Sequence, residues 1–179
     1  MPGFLPIDYQ KSIAKKKLVY RAGRDLTFEY VCFYGAAFAI IGACSAAVII
    51  GYYAMPFYCV IIALVAILWF VLNTLLLNAF VSISIEGTDI NDNKKKLLKI
   101  LPHFFDLDNL DESETNVIRD ARLHSFLKSS RVITCLFNDN IIYLNITYLM
   151  RANALSVFGG LFGYYRCKII AKAFKQSSF

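Results

Sequence analysis

The fold is decided by one long uncharged stretch, Tyr30–Ile85, which reads YVCFYGAAFAIIGACSAAVIIGYYAMPFYCVIIALVAILWFVLNTLLLNAFVSISI. It contains 56 residues, and no Asp, Glu, Lys or Arg occurs between Glu29 and Glu86. One crossing of a bilayer takes about 20 apolar residues. The stretch therefore has room for two crossings, and Gly51 and Pro56, which disfavour helix, predict a turn between them. We expect a two-helix transmembrane hairpin with helices at about 29–51 and 56–79.

The rest of the chain is divided around this predicted hairpin. Of the 179 residues, 58% are hydrophobic and the mean hydropathy is +0.52, against about 45–50% apolar residues in an ordinary soluble domain. This composition argues against a single soluble core. We predict a basic N-terminal segment at 1–28, the hairpin at 29–80, and an extramembrane α+β domain with an amphipathic C-terminal helix at 81–179.

Basic residues on both sides of the uncharged stretch predict the orientation, because Lys and Arg are retained on the side from which insertion occurs. The turn at 51–56 carries no charge, so both termini should face the cytosol or the mitochondrial matrix. The sequon Asn145-Ile146-Thr147 would accept a glycan only on a lumenal side, and it lies in a strand-like run. The flanking basic residues are Lys11, Lys15, Lys16, Lys17, Arg21 and Arg24 on one side and Lys94, Lys95, Lys96 and Lys99 on the other.

Small residues recur every four positions along the first predicted helix. Such a groove lets two helix backbones approach closely in lipid, where no hydrophobic force drives helices together. Either a partner protein or the second predicted helix would fill it. The predicted helix-packing groove consists of Gly35, Ala39, Ala43, Ala47 and Gly51. In the second helix, Asn73 is a polar side chain that needs a hydrogen-bond partner.

The C-terminal region shows several local patterns. Val81–Ile85 alternates apolar and polar residues and predicts a strand, which Lys95–Leu101 would join after a turn. Asp111 and Glu114 have the spacing of a capping box and predict a helix over 112–128. The runs 131–137 and 141–148, separated by Asn138-Asp139-Asn140, predict a β-hairpin, with a third membrane segment over 140–165 as the alternative.

The last apolar run, Phe158 to Phe174, has helical spacing and predicts an amphipathic helix. Its apolar residues are Phe158, Leu161, Phe162, Tyr165, Ile169 and Ala173. That face either lies among acyl chains at a membrane surface or covers the small sheet. In the first case the lipid headgroups would be contacted by Arg166, Lys168, Lys172 and Lys175.

The sequence contains no recognisable catalytic motif. Its five cysteines form no closely spaced pairs and its two histidines are isolated, so neither a disulfide framework nor a zinc site is expected. We predict no catalytic, cofactor-binding or metal-binding residues and no enzymatic activity. The net charge of +6 is explained by membrane flanks, so nucleic acid is not an expected partner.

These observations predict a non-catalytic accessory, structural or assembly subunit of a larger membrane protein complex. The outline is similar to that of mitochondrial inner-membrane assembly proteins and of endoplasmic-reticulum accessory subunits, without a shared motif. A respiratory-chain or ATP-synthase assembly in the mitochondrial inner membrane is the favoured setting, and the endoplasmic reticulum is the alternative. Expected partners are other membrane subunits and anionic lipid. A lipid-binding scaffold at the membrane surface, or an auxiliary subunit of a membrane enzyme or channel, are the competing functions.

Overall fold

The protein is described from a computed structural model of the whole chain. The described residues are 6–21, then 31, 34, 35, 38, 39, 42, 45, 46, 49 and 50, then 56–85, 89–107, 109–112, 116–122, 130–138, 140–149, 156 and 159–177, with side chains in the long apolar helix from residue 60 onward.

A five-stranded antiparallel sheet organises the C-terminal part of the chain, with the strand order β1-β5-β4-β3-β2. Strands β4 and β5 form a hairpin whose register runs from Asn138 opposite Ile141 to Ser130 opposite Leu149. The predicted hairpin is therefore confirmed, and a membrane segment beginning at residue 140 is wrong, because the chain there belongs to a central strand. The strands are β1 (Val81–Ser84), β2 (Leu110–Asp111), β3 (Val117–Arg122), β4 (Ser130–Asn138) and β5 (Ile141–Leu149).

Four α-helices are described over their whole length. Three residues separate the longest helix, α2, from β1. The short helix α1 is capped by Asp8, whose carboxylate accepts a hydrogen bond from the Lys11 amide at 3.1 Å. The helices are α1 (Tyr9–Lys15), α2 (Pro56–Leu77), α3 (Ile90–Ile100) and α4 (Gly159–Gln176), and a 3-10 turn spans Leu101–His103.

The main core lies on one face of the sheet. Alternate residues of β5 point to this face because successive strand side chains alternate between faces. Helices α3 and α4 cover it, and the Lys96 ammonium of α3 lies 4.6 Å from the ring centre of Phe174 in α4. The main core contains Ile83, Leu97, Leu101, Ile118, Cys135, Phe137, Ile142, Leu144, Ile146, Ile170 and Phe174, among others.

The N-terminal segment packs against the opposite face of the sheet. Tyr9 and Ile13 of α1 lie on a smaller cluster that includes Leu136 and Tyr143, and the Tyr9 hydroxyl donates to the Phe137 carbonyl oxygen. Leu18 is 3% exposed, and its amide donates to the Asn78 carbonyl oxygen at 2.8 Å. Residues 6–21 and the sheet therefore form one packed body. The predicted boundaries at 28 and 80 stay predictions.

Two local predictions in this region are wrong. Lys95–Leu101 is not a strand, because Asn93, Leu97 and Ile100 are buried at helical spacing and belong to α3. The helix predicted over 112–128 is also absent from its described residues, where Val117–Arg122 forms β3 between β2 and β4. A capping-box spacing is a local signal, and pairing with two strands outweighs it.

The predicted two-helix transmembrane hairpin is wrong. Within the described residues, α2 alone is long and apolar enough to cross a membrane, through its segment Val60–Leu77, and the rest of this part forms an α+β domain. Of the predicted helix 29–51, ten positions are described, all helical and exposed, and the others lie outside the described residues. Length and absence of charge show that a segment is apolar, but they do not determine how many helices it forms.

Candidate functional site

Helix α2 is unusual because most of its apolar surface is uncovered. Its segment Val60–Leu77 has a mean hydropathy of 2.8, and only 11% of this segment is buried. A core helix of a water-soluble domain buries at least one face. The large apolar side chains that are exposed on α2 are Val60, Ile61, Ile62, Leu64, Val65, Ile67, Leu68, Val71, Leu72 and Leu75.

The C-terminal end of α2 is attached to the sheet by a buried amide. The Asn145 side chain in β5 is 2% exposed and donates from Nδ2 to the carbonyl oxygens of Leu77 and Ala79, at 3.2 and 3.0 Å. Its Oδ1 accepts from the Thr147 hydroxyl at 2.8 Å. The last carbonyls of a helix lack partners within the helix, so Asn145 satisfies groups that would otherwise be unpaired. The sequon asparagine therefore has a structural role.

A second buried amide joins α2 to the start of α4. Asn73 is 1% exposed, its Oδ1 accepts from the Leu161 amide at 3.1 Å, and its Nδ2 donates to the Trp69 carbonyl oxygen at 3.0 Å. The Leu161 amide is one of the first amides of α4, which have no acceptor inside their own helix. The partner that the sequence requires for Asn73 is thus the N-terminus of another helix.

Glycines bring α4 into direct contact with its two neighbours. A Cβ atom at Gly160 would lie under 3.0 Å from the Asn73 carbonyl oxygen, and one at Gly163 would lie as close to the Ile146 carbonyl oxygen. The first turns of α4 therefore fit between the backbone of α2 and the backbone of β5. We call this contact, formed by Asn73, Asn145, Gly160, Leu161 and Gly163, the α2–α4 junction.

Two aromatic residues of the predicted apolar face, Phe162 and Tyr165, lie on the outer face of α4. The helix covers the sheet, as one alternative predicted, but Phe162 and Tyr165 of the predicted face are 57% and 63% exposed and only Ala173 among its described residues packs on the core. The buried side instead consists of small and apolar residues: Gly159, Gly160, Gly163, Cys167, Ile170, Ala171 and Phe174. The four predicted headgroup contacts are all exposed on α4: Arg166, Lys168, Lys172 and Lys175.

Aromatic residues connect the outer face of α4 with the exposed part of α2. The rings of Trp69 and Phe162 meet edge to face, with centroids 6.3 Å apart and an interplanar angle of 65°. The Lys168 ammonium lies 5.1 Å from the ring centre of Tyr164, so this side chain extends toward the N-terminus of α4. Apolar surface on α2 thus continues into an aromatic and then a basic surface on α4.

The predicted small-residue groove is described only in part. Gly35 and Ala39 are helical and exposed, and Ala43, Ala47 and Gly51 lie outside the described residues. A Cβ atom added at Gly35, or at the neighbouring Gly42, would meet nothing within 4 Å. At these positions no part of the described chain, including α2, fills the groove.

The buried cysteines have the properties of packing residues. Burial raises the pKa of the Cys167 thiol to about 12, and it raises the pKa of Cys135 still further. Neither of these two thiols forms a disulfide. A thiol with so high a pKa is a poor nucleophile at neutral pH. Across the described ranges, no group of three or more His, Cys, Asp or Glu side chains could hold a metal ion.

Several arginine side chains lie near the end of the sheet at which β5 ends. Burial raises the pKa of Tyr148, and the positive charges of Arg166 and Arg131 oppose that rise. Arg166 of α4 therefore lies near the C-terminal end of β5. Arg122, at the same end of β3, donates to the Asp106 carboxylate at 2.6 Å.

Comparison of this chain with protein-family models, with curated proteins and with solved structures finds no match. The features of this chain that bear on its function are the geometry of α2, of α4 and of the junction between them.

Proposed function

We propose that this protein is a non-catalytic subunit of a membrane protein complex, anchored by α2 in the bilayer and presenting its α+β domain at the membrane surface. The observation that carries the proposal is the contrast along α2. Ten large apolar side chains of this helix are exposed, while its C-terminal end is bonded into the sheet by Asn145. Such a helix is stable when lipid covers its apolar surface.

The α2–α4 junction supports an anchoring role rather than a loose tether. Two buried amides and two backbone contacts at glycine join α2 to β5 and α4. No mobile linker separates α2 from β1, because only residues 78–80 lie between them. The orientation of the domain relative to the helix is therefore set by the fold, which suits a subunit that holds partners at a defined position.

The proposal also includes the partner complex, the membrane that contains α2 and the side of that membrane on which the domain lies. The exposed small residues Gly35 and Ala39 support contact with a second membrane protein, because such residues allow close helix approach. Packing of residues 6–21 on the sheet supports placement of this segment on the same side of the membrane as the α+β domain, and we propose the cytosolic or matrix side. The mitochondrial inner membrane is the favoured location, with a respiratory-chain or ATP-synthase assembly as the complex.

Two measurements on the full chain test this proposal. The first is resistance to alkaline extraction from membranes, compared between Leu64→Arg and Leu110→Arg. Both leucines are exposed, at 61% and 42%, but Leu64 lies on α2 and Leu110 lies in β2. An Arg at the centre of a membrane helix costs about 2.5–3.5 kcal/mol on insertion scales, so only Leu64→Arg should be extracted more readily. Equal extraction of the two variants would contradict the anchor.

The second measurement is native-gel migration of the endogenous protein in mild detergent, followed by mass spectrometry of the band. We expect one large band with companions at fixed stoichiometry, which would also identify the process. Migration as a single 20.3-kDa chain with bound detergent would contradict the subunit role.

A further inference from the structure

The contacts around the α2–α4 junction define which end of the sheet faces the exposed part of α2. Leu77 of α2 is bonded to Asn145, and Asn73, one turn earlier, lies against Gly160. Gly159, the neighbour of Gly160, lies against Tyr148. From Leu77 to Asn73, α2 therefore runs alongside β5 from Asn145 toward Tyr148. The exposed part of α2, which precedes Asn73, extends beyond the C-terminal end of β5.

Helix α4 runs back from this end of the sheet. Gly159 lies against Tyr148, Gly163 lies against Ile146, and α4 then packs on β1, which pairs only with Ile141–Leu144. Each helical residue advances about 1.5 Å, so residues 166 and 168 are about 6 and 9 Å along the axis from Phe162, while 172 and 175 are about 15 and 20 Å from it.

The headgroup region of a bilayer is thin compared with the length of α4. A bilayer is about 40–45 Å thick with headgroups and about 30 Å without them, which leaves about 5–8 Å for each headgroup layer. Electrostatic attraction to charged headgroups falls off over about 8 Å at physiological salt. When Trp69 and Phe162 mark the edge of the hydrocarbon and α4 runs away from the bilayer, residue 166 lies within this layer, residue 168 lies at its outer edge, and residues 172 and 175 lie beyond it.

The charge of α4 fits an anionic surface. The helix contains four basic residues and no Asp or Glu. Tyr165, immediately before Arg166, is exposed, and tyrosine is enriched at membrane interfaces. Arg166 lies near Tyr148, and the Lys168 side chain extends back toward Tyr164, so both positive charges are displaced toward the end of the sheet that faces α2.

We propose that Phe162, Tyr165, Arg166 and Lys168 form an interfacial site for the headgroups of anionic lipids, in the leaflet that α2 enters on the domain side. Lys172 and Lys175 lie in water and take no part. This site rests on the proposed anchoring by α2, and it divides the four basic residues of α4 into two pairs with different roles.

The test uses Trp69, the single tryptophan of the chain, as an energy donor in the full-length protein. The protein is reconstituted into vesicles of phosphatidylcholine with a minority of phosphatidylglycerol. Energy transfer from Trp69 is measured to traces of acyl-chain dansyl lipid with either headgroup. We expect greater transfer to the phosphatidylglycerol acceptor, and loss of that preference at high salt.

Two double variants that each remove two positive charges provide the comparison. Each Lys or Arg at an anionic surface contributes about a fivefold preference, so Arg166→Gln with Lys168→Gln should lower the phosphatidylglycerol preference by at least about fivefold. The matched control, Lys172→Gln with Lys175→Gln, should leave it unchanged. All four side chains are exposed, and near-ultraviolet circular dichroism checks that both variants keep the fold.

The outcomes separate this site from the anchor on which it depends. Equal transfer to the two acceptors in the unchanged chain, or equal loss of preference in the two double variants, would overturn the headgroup site and leave the anchor standing. Absence of transfer to either acceptor would place Trp69 away from the bilayer and overturn both.

Discussion

The exposed and the attached parts of α2 are both rich in large apolar residues but have opposite surroundings. Leu64 and Leu68 are 61% and 60% exposed, whereas Asn73 and Leu77 are 1% and 2% exposed. The buried end is defined by polar groups and glycines, because the amides of Asn73 and Asn145 bond to helix ends and α4 approaches through residues without a Cβ. Apolar character alone therefore does not show which part of a helix belongs to a domain.

The largest effect is expected where α4 meets the sheet. Gly163→Ala would place a Cβ atom against the Ile146 carbonyl oxygen, and neither backbone can move without displacing the core. Overpacking of this kind costs about 3 kcal/mol, which the better helix propensity of Ala offsets by no more than about 1 kcal/mol. Urea unfolding in mild detergent measures the loss. Gly42→Ala, which adds a methyl group in open space, is the control, and equal stability of the two variants would contradict the contact.

Asn145→Leu tests the attachment of the C-terminal end of α2. The substitution leaves the Leu77 and Ala79 carbonyl oxygens and the Thr147 hydroxyl without the partners they have now. We expect a loss of about 2 kcal/mol in the free energy of unfolding. Asn91→Leu removes an exposed amide from α3 and should change stability little. A loss of similar size in both variants would mean that buried bonding at Asn145 is not the cause.

Asn73→Leu is expected to act more locally. Leucine has nearly the same volume, but the Leu161 amide loses its acceptor, and loss of a helix cap costs about 1 kcal/mol. Hydrogen exchange should become faster in the first turn of α4 and stay unchanged in β4. Unchanged exchange at Leu161 would show that Asn73 does not hold the start of this helix.

The buried thiol of Cys167 allows a prediction about its rate of alkylation, with no change in stability expected at neutral pH. Because burial raises the pKa of Cys167 to about 12, its alkylation at pH 8 should be slow and should become faster in Gly163→Ala, which loosens α4. The folded chain keeps this thiol protonated above its ordinary pKa of 9.0, so stability is full below pH 9 and falls as the pH rises toward 12. Rapid alkylation of Cys167 in the unchanged folded chain would contradict its burial.

Local patterns predicted some elements of the fold correctly. The β4–β5 hairpin was predictable because two β-branched runs flank a short polar turn, and β1 because its residues alternate. The capping-box spacing of Asp111 and Glu114 was a misleading signal, because the described residues Val117–Arg122 pair instead with a strand that lies beyond residue 130. Local sequence does not contain those distant partners.

The candidate site was predictable only in its parts. Asn73 could be recognised as a polar residue in an apolar helix, but its partner Leu161 lies 88 positions away. The face of α4 was assigned wrongly because hydrophobicity gives weight to Phe162 and Tyr165, while the buried side begins with Gly159, Gly160 and Gly163. Glycine allows the backbone of α4 to contact neighbouring backbones closely, and a pattern of hydrophobic residues does not reveal such a contact.

The most direct test of the account is the quenching of Trp69 fluorescence by lipids that carry bromine at different depths of the acyl chain, in vesicles containing the full chain. Trp69 lies on α2 one turn before Asn73, between its exposed and attached parts. We predict quenching that is stronger for bromine near the headgroup than for bromine near the bilayer centre. Absence of quenching at every depth would contradict the central claim, that α2 enters the bilayer directly beyond its junction with α4.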